Sequence, residues 1–217
     1  MKLHIFIETG VPTTKKENNQ YTNEWYFIHQ YIKHLRDTIS DEDIDIIDVG
    51  GKDKLSFFDN QMRDFGKNGD KNLVIFDADF VIDGGGVEKR QNDMKAFKES
   101  ALVDFDYFFF PNNQDDGVFE DLLLQIINPE HQGIMDCFSH YEQCIGGQNE
   151  VKGGNCYETP NIKAKVYTYI TTFKRSKKEA DKVKKGNWDF GNAAYWNLNH
   201  SYLTPLKSFL DKYLLKG

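Results

Sequence analysis

The sequence predicts an α/β protein with a Rossmann-like parallel sheet flanked by helices, followed by a C-terminal helical extension. Short apolar segments alternate with segments of helical periodicity four times within residues 1–128. This alternation is typical of a parallel sheet with helices on its faces. After residue 128 the strand pattern ends. We therefore predict an α/β domain over residues 1–128 and a helical extension, packed on that domain, over residues 129–217.

The predicted strands are short apolar segments that end at acidic or turn-forming residues. Residues 3–7 end at Glu8, which interrupts the apolar run, so we interpret this segment as a strand and not as a signal peptide. The other predicted strands are residues 43–49, 72–77 and 107–110, and the third of these four strands is the most apolar.

The first predicted helix begins after Thr22 and runs to about Thr38, because its apolar residues recur at helical spacing and threonine is a common N-cap. Further helices are predicted at residues 53–65, from Gly84–Gly86 to about 101, and at 118–127, 131–145, 161–175, 176–185 and 203–215. Loops are predicted at residues 11–21 and 146–160, which are rich in polar residues.

Composition and charge exclude several classes of protein. The formal net charge of −7 excludes a uniformly basic nucleic-acid-binding protein, although residues 151–217 hold 13 Lys and Arg against 5 Asp and Glu. No run of about 18 apolar residues is present, so no membrane partner is expected. The three cysteines form no C-x-x-C pair, which argues against a zinc site and a disulfide framework, and a cytoplasmic location is expected.

Acidic side chains gather where the predicted strands end. Glu8 follows the first strand, Asp77 ends the third, and Asp79 lies two residues later. The carboxyl ends of parallel strands meet at one edge of a sheet, which is where such folds place their functional groups. Carboxylates this close repel one another unless a cation lies between them, and Mg²⁺ prefers carboxylate oxygens. We therefore predict that Glu8, Asp77 and Asp79 bind Mg²⁺ or Mn²⁺.

The same residues resemble the TOPRIM domain of topoisomerases, bacterial primases and OLD-family nucleases. Residues 6–10 (FIETG) form a strand that ends in Glu-x-Gly, and residues 74–79 (VIFDAD) form a later strand that ends in Asp-x-Asp. The wider layout is similar to a bacterial TOPRIM-related family that is essentially uncharacterised. That similarity extends through residues 109–113, 117–123 and 163–167, and so covers about residues 3–170.

This resemblance implies catalytic roles for several residues. Glu8, Asp77 and Asp79 would hold the metal, and Glu120, or else Asp121, would serve a second metal. Lys165 or Lys163 would stabilise charge on the phosphate. TOPRIM nucleases often carry another acid near the start of the first helix, where this chain has Asn23 and Glu24. If Asn23 holds that place, a ligand of the second metal is weakened.

The expected function is Mg²⁺-dependent cleavage of phosphodiesters in DNA or RNA. The alternative is a non-catalytic TOPRIM-like module that binds a metal, a nucleotide or a partner, and Asn23 favours this alternative. A nucleic-acid contact surface is predicted at Lys174, Arg175, Lys177 and Lys178, in a basic stretch that continues through Lys182, Lys184 and Lys185.

One rival hypothesis uses the same strand. Residues 73–82 also resemble the nucleophile loop of haloacid-dehalogenase phosphatases, with Asp115 and Asp116 as later metal-binding acids. That family usually carries this loop on its first core strand, which counts against the hypothesis. The Gly84–Gly86 segment is interpreted as a turn, because it lacks the spacing of known phosphate-binding loops.

Overall fold

The computed structural model describes residues 1–8, 21–148 and 157–214. Its strands are β1 (Leu3–Ile7), β2 (Ile44–Asp48), β3 (Lys71–Asp77) and β4 (Asp106–Phe110). They form one parallel sheet in the order β2-β1-β3-β4. Helices flank this sheet, so the predicted α/β fold is confirmed.

The helices follow the predicted order. Thr22 caps the first helix, since its hydroxyl oxygen accepts a hydrogen bond from the Trp25 N–H over 3.2 Å. The described helices are α1 (Asn23–Leu35), α2 (Asp59–Lys67), α3 (Val87–Ala101), α4 (Phe119–Gln125), α5 (Gln132–Gln148), α6 (Ile162–Thr172), α7 (Lys177–Lys184) and α8 (Thr204–Leu214).

Two helix starts differ from the prediction. The segment expected to be helical from residue 53 begins as a 3-10 helix, Lys52–Phe58, and α2 starts only at Asp59. The third helix begins at Val87 and not at Gly84, because Gly86 takes a left-handed φ of +104° that no helix contains. The Asp116 carboxylate then accepts a hydrogen bond from the first helical N–H, on Val87, over 2.8 Å.

The sheet is buried on both faces because its strands alternate between two apolar clusters. In β3, Leu73 and Ile75 face the cluster formed with α1, α4 and the C-terminal helices, whereas Val74 and Phe76 face the cluster formed with α2 and α3. This double burial explains why most of β1 and the middle of β3 are apolar.

The first of these clusters continues into the C-terminal helices. Phe190 packs against Phe27 of α1, with ring centroids 5.3 Å apart, and against Phe119 of α4. Trp188 and Trp196 are also buried in this cluster. The aromatic residues near position 190 therefore pack against helices α1 and α4. In the part of the chain that the structure describes, no helix is both long and apolar enough to cross a membrane.

Several sequence features lie outside the described residues. Thr9 and Gly10, which belong to the first resemblance motif, are among them, as are most of the predicted loop at 11–21 and part of the predicted loop at 146–160, including Cys156.

Candidate functional site

The carboxyl edge of the sheet brings the predicted acidic residues together. Glu8 directly follows β1, and Asp77 ends the neighbouring strand β3. Asp77 is fixed to the next layer of the fold, because its Oδ1 accepts a hydrogen bond from the Phe119 N–H over 2.8 Å. Phe119 is the first residue of α4, so this bond ties the start of that helix to the end of β3.

Two further carboxylates come from helix starts. Glu24 is the second residue of α1, and Glu120 is the second residue of α4. Glu120 is only 3% exposed. Together with Glu8 and Asp77 these residues form what we call the carboxylate cluster.

The pKa values of all four carboxylates in this cluster are raised, first of all by burial. Burial raises the pKa of Glu24 well above its ordinary value, and the charges of Asp77 and Glu120 raise it further. Burial and the charges of Glu8 and Glu120 likewise raise the pKa of Asp77 well above its ordinary value. Burial also raises the pKa values of Glu8 and Glu120. The cluster is therefore unfavourable in its fully ionised form.

The donor chemistry of the cluster fits a hard divalent cation. The Glu8 Oε2 atom is buried and has no hydrogen-bond partner, and buried carboxylate oxygens in this state are stabilised by a cation. In this structure, however, the carboxylates are not close enough together to coordinate one ion. Within residues 1–8, 21–148 and 157–214, no three Asp, Glu, His or Cys side chains are arranged to hold a metal ion.

Asp79 differs from the cluster because two cations hold it. Its Oδ2 lies 2.7 Å from Lys52 Nζ and 2.6 Å from an Arg90 guanidinium nitrogen. Burial raises the pKa of Asp79, but the hydrogen bonds from Lys52 and Arg90 outweigh it and the pKa is lowered. Asp79 is thus an ionised carboxylate that already has counter-ions.

The backbone fixes the position of Asp79 closely. Its φ of +57° is left-handed, which is uncommon for a residue with a β-carbon. Its N–H and C=O both pair with Gly117, over 2.8 and 3.1 Å. A β-carbon at Gly85 would lie 2.4 Å from Asp79 Cβ, so only glycine fits there. The Gly84–Gly86 segment is therefore a turn that packs against Asp79.

The two candidate lysines are placed differently. Lys163 Nζ lies 3.8 Å from Glu120 Oε1, and the Lys163 side chain is 68% exposed. Lys165 Nζ lies 3.0 Å from a carboxylate oxygen of Glu142 on α5. The structure thus brings Lys163 to the carboxylate cluster and pairs Lys165 elsewhere.

The other candidate acids take part in local hydrogen bonds. The Asp121 carboxylate accepts a hydrogen bond from the Val118 N–H over 2.8 Å at the start of α4, and Asp116 caps α3. Asp115 accepts a hydrogen bond from the Asn112 side chain, whose own oxygen accepts two backbone N–H groups of the loop after β4. These contacts shape the loop after β4.

The predicted nucleic-acid contact residues divide into two groups. Lys174, Lys177 and Lys178 are exposed. Arg175 instead donates to the backbone oxygens of Ile170 and Phe173 and lies 4.6 Å from the centre of the Tyr195 ring. The Arg175 guanidinium thus hydrogen-bonds carbonyl groups at the C-terminal end of α6, and these contacts lie within the protein.

The end of α7 approaches the start of α1. A β-carbon at Gly186 would lie 3.2 Å from the backbone nitrogen of Asn23 and from the Tyr21 carbonyl oxygen. Lys184 and Lys185, which precede this glycine, are exposed. The basic segment therefore ends beside the helix turn that carries Glu24.

Sequence reasoning did not select three residues of this region. Glu24 was weighed only as an alternative to Asn23, although Thr22 as an N-cap places position 24 in the first turn of α1. Lys52 and Arg90 are not among the predicted site residues. A signal for Lys52 exists, since it follows Gly50 and Gly51 at the carboxyl end of β2, on the same sheet edge.

The chain matches a known protein family over most of its length. A family model described as a protein of unknown function (DUF3226) matches residues 22–215. No curated protein is significantly similar in sequence. Among solved structures, the C-terminal region of the Burkholderia pseudomallei OLD protein is similar, with 15% identity, a TM-score of 0.46 and coverage of 98% of each chain.

Proposed function

The chain belongs to the DUF3226 family of proteins of unknown function, and we propose that it is a Mg²⁺-dependent, nuclease-like hydrolase of phosphodiesters in DNA or RNA. The observation that carries this proposal is the gathering of Glu8, Glu24, Asp77 and Glu120 at the carboxyl edge of a parallel sheet. Parallel sheets place their active sites at this edge. The resemblance of the motifs around Glu8 and Asp77 to TOPRIM proteins supports the same function.

In this proposal the side chains have distinct roles. Glu8 and Asp77 bind the cation, and Glu24 and Glu120, which lie close enough for their charges to act within the cluster, supply further oxygen ligands. A bound Mg²⁺ supplies stabilisation of the charge that develops on the phosphate. Lys163 is exposed and beside Glu120, where its ammonium can contact a phosphate oxygen. Lys165 has no such role, because it is paired with Glu142.

A cleavage assay tests this function. Purified protein is incubated with single-stranded DNA, duplex DNA, single-stranded RNA and duplex RNA in Mg²⁺, in Mn²⁺ and in EDTA. Cleavage of at least one polymer with either metal and none in EDTA is the expected result. If none of the four polymers is cut under any condition while Mg²⁺ binds, catalysis is not the function.

A second candidate function is binding without catalysis, and one observation favours it. Asp79, which the TOPRIM resemblance assigns to the metal, is held by Lys52 and Arg90. A module that binds a metal or nucleotide without turnover would keep such an arrangement permanently. Binding of Mg²⁺ in the absence of any cleavage would distinguish this candidate from the hydrolase.

We place the nucleic-acid contact at the end of α7, and not at Arg175. Exchange of both Lys184 and Lys185 for methionine is expected to weaken DNA or RNA binding and to reduce the slope of log affinity against log salt by up to about two. The reason is that each lysine that contacts a phosphate releases about one bound counter-ion. Fluorescence anisotropy at several salt concentrations measures both quantities.

Lys207→Met is the matched control for this double variant. Lys207 lies on α8 and is paired with Asp211, so its removal changes the net charge without affecting the end of α7. If the control and the double variant weaken binding equally for each lysine removed, the surface has no specific role and the effect is one of net charge.

A further inference from the structure

Lys52 contacts two of the acidic residues at the carboxyl edge of the sheet. Its backbone N–H donates to Glu8 Oε1 over 3.4 Å, and its ammonium lies 2.7 Å from Asp79 Oδ2. These two acids follow neighbouring strands, so Lys52 bridges β1 and β3 from the loop after β2.

The turn before Lys52 directs it toward these acids. Gly50 and Gly51 have φ values of +77° and +116°, which allow the chain to turn sharply as it leaves β2. The 3-10 helix Lys52–Phe58 then begins directly over the sheet edge. Because the N–H of Lys52 belongs to the backbone, its contact with Glu8 is independent of the side chain at position 52.

The Lys52 ammonium contacts a carboxylate oxygen of Asp79, a residue that the TOPRIM resemblance assigns to the metal. Asp79 Oδ2 accepts hydrogen bonds from both Lys52 and Arg90. An oxygen that already contacts two cations must lose one of them before it can bind a third, because cations at this distance repel one another.

The two cations differ in how firmly they are fixed. The Arg90 side chain is 6% exposed and its guanidinium also contacts Asp93 over 3.4 Å. The Lys52 side chain is 33% exposed, and its flexible stem ends near solvent. Lys52 is therefore the cation that can leave Asp79.

We propose that Lys52 is an internal counter-ion of the site, which holds Asp79 in the metal-free protein and competes with a divalent cation for that carboxylate. This inference rests on the proposed metal site, but it does not depend on catalysis. Competition from Lys52 makes metal binding weaker than the carboxylates alone would allow. Lys52 is thus a positioning residue that lowers the affinity of the site for the cation.

Calorimetric titration of Mn²⁺ and Mg²⁺ into Lys52→Met tests the proposal. Methionine keeps much of the aliphatic stem and removes the charge. We expect the variant to bind either cation about tenfold more tightly than the wild type, because a unit charge close to the site no longer opposes binding. Lys52→Gln, which keeps a polar end, is measured in parallel in case Lys52→Met folds poorly.

Two controls separate direct competition from a change in net charge. Lys54→Met removes the same charge from an exposed position two residues away, and we expect unchanged affinity. In an Asp79→Asn background, Lys52→Met should no longer tighten binding, since the carboxylate for which both cations compete is gone. A gain that persists in this background would overturn the proposal.

The outcomes also separate this inference from the proposed function. Equal or weaker metal binding by both Lys52 variants, with the wild type binding normally, overturns the role of Lys52 and leaves the hydrolase proposal standing. Tighter binding by the variants with no cleavage of any polymer supports Lys52 as a competitor and contradicts catalysis. No binding by the wild type or by either variant overturns both.

Discussion

Asp77→Asn is expected to lower the rate of metal-dependent cleavage by at least about a hundredfold. Asp77 ends β3, one of the two central strands, and interacts with the carboxylates of Glu8, Glu24, Asp79 and Glu120. Loss of its charge removes a metal ligand, and the metal contributes several kcal/mol to transition-state stabilisation, where each 1.36 kcal/mol is a factor of ten in rate. The rate of cleavage of the preferred polymer in Mg²⁺ measures the effect.

The same substitution should not unfold the protein. Asparagine retains an oxygen that can accept the Phe119 N–H bond, which is 2.8 Å long in the wild type. Removal of one buried charge also relieves repulsion in the carboxylate cluster, so the metal-free variant should melt at or above the wild-type temperature at pH 8. Asp83→Asn, at an exposed position on the turn after β3, is the control and should retain full activity. Wild-type activity in Asp77→Asn would refute the proposed site.

The second large effect is expected in the pH dependence of stability without metal. The pKa values of Glu8, Glu24, Asp77 and Glu120 are raised by burial, and the carboxylates of Glu24 and Asp77 also repel other members of the cluster. The folded protein holds the protons of these four carboxyl groups more tightly than the unfolded chain does. The protonated groups therefore stabilise the fold fully only below the ordinary pKa values, which are 4.5 for Glu and 3.8 for Asp. This stabilisation is lost as the pH rises through the higher folded values.

We therefore expect the unfolding free energy of the metal-free protein to fall as the pH rises from 5 to 8, because the folded state holds these protons more tightly than the unfolded chain does. Mg²⁺ should restore stability at pH 8 and have much less effect at pH 5, where protons compete with it. Chemical denaturation at both pH values, with and without Mg²⁺, measures the four free energies.

Glu24→Gln provides the matched variant for this experiment. It removes one carboxylate that interacts with both Asp77 and Glu120, so its metal-free stability should depend less on pH. Asp70 has the opposite behaviour: its pKa is lowered, first by the hydrogen bond from the Lys2 N–H, so its contribution is lost only as the pH falls below about 4. A wild-type protein whose stability is flat from pH 5 to 8 would contradict a buried, repelling cluster.

The sheet and its acidic edge could be predicted from sequence because two local signals coincide there. Apolar runs mark strands buried on both faces, and the residue at which each run stops marks the carboxyl end. Glu8 and Asp77 lie at such stops. Glu120 could be placed only through the resemblance, since its burial depends on how α4 packs against β4 and α6.

The positions of Glu24, Lys52 and Arg90 in the site depend on three-dimensional packing, which the sequence pattern does not show. The predicted Thr22 cap places both Asn23 and Glu24 in the first turn of α1, but which of the two side chains faces the other carboxylates depends on how that helix packs on the sheet. The pairing of Asp79 with Lys52 and Arg90 joins residues 27 and 11 positions apart through a left-handed backbone and a close glycine contact. Such pairings arise from tertiary packing, and the sequence indicates only that Lys52 follows Gly50 and Gly51 at the sheet edge, without indicating its partner.

The most direct test of a cation site in the carboxylate cluster is the anomalous scattering of crystals grown or soaked with Mn²⁺. We predict an anomalous peak at the carboxyl edge of the sheet, about 2.1 Å from carboxylate oxygens of Glu8 and Asp77 and within reach of Glu24 or Glu120. In the same crystals the Lys52 ammonium should lie farther from Asp79 than its metal-free distance of 2.7 Å. A cluster without such a peak at saturating Mn²⁺, or a peak bound only elsewhere on the protein, would contradict the proposed site.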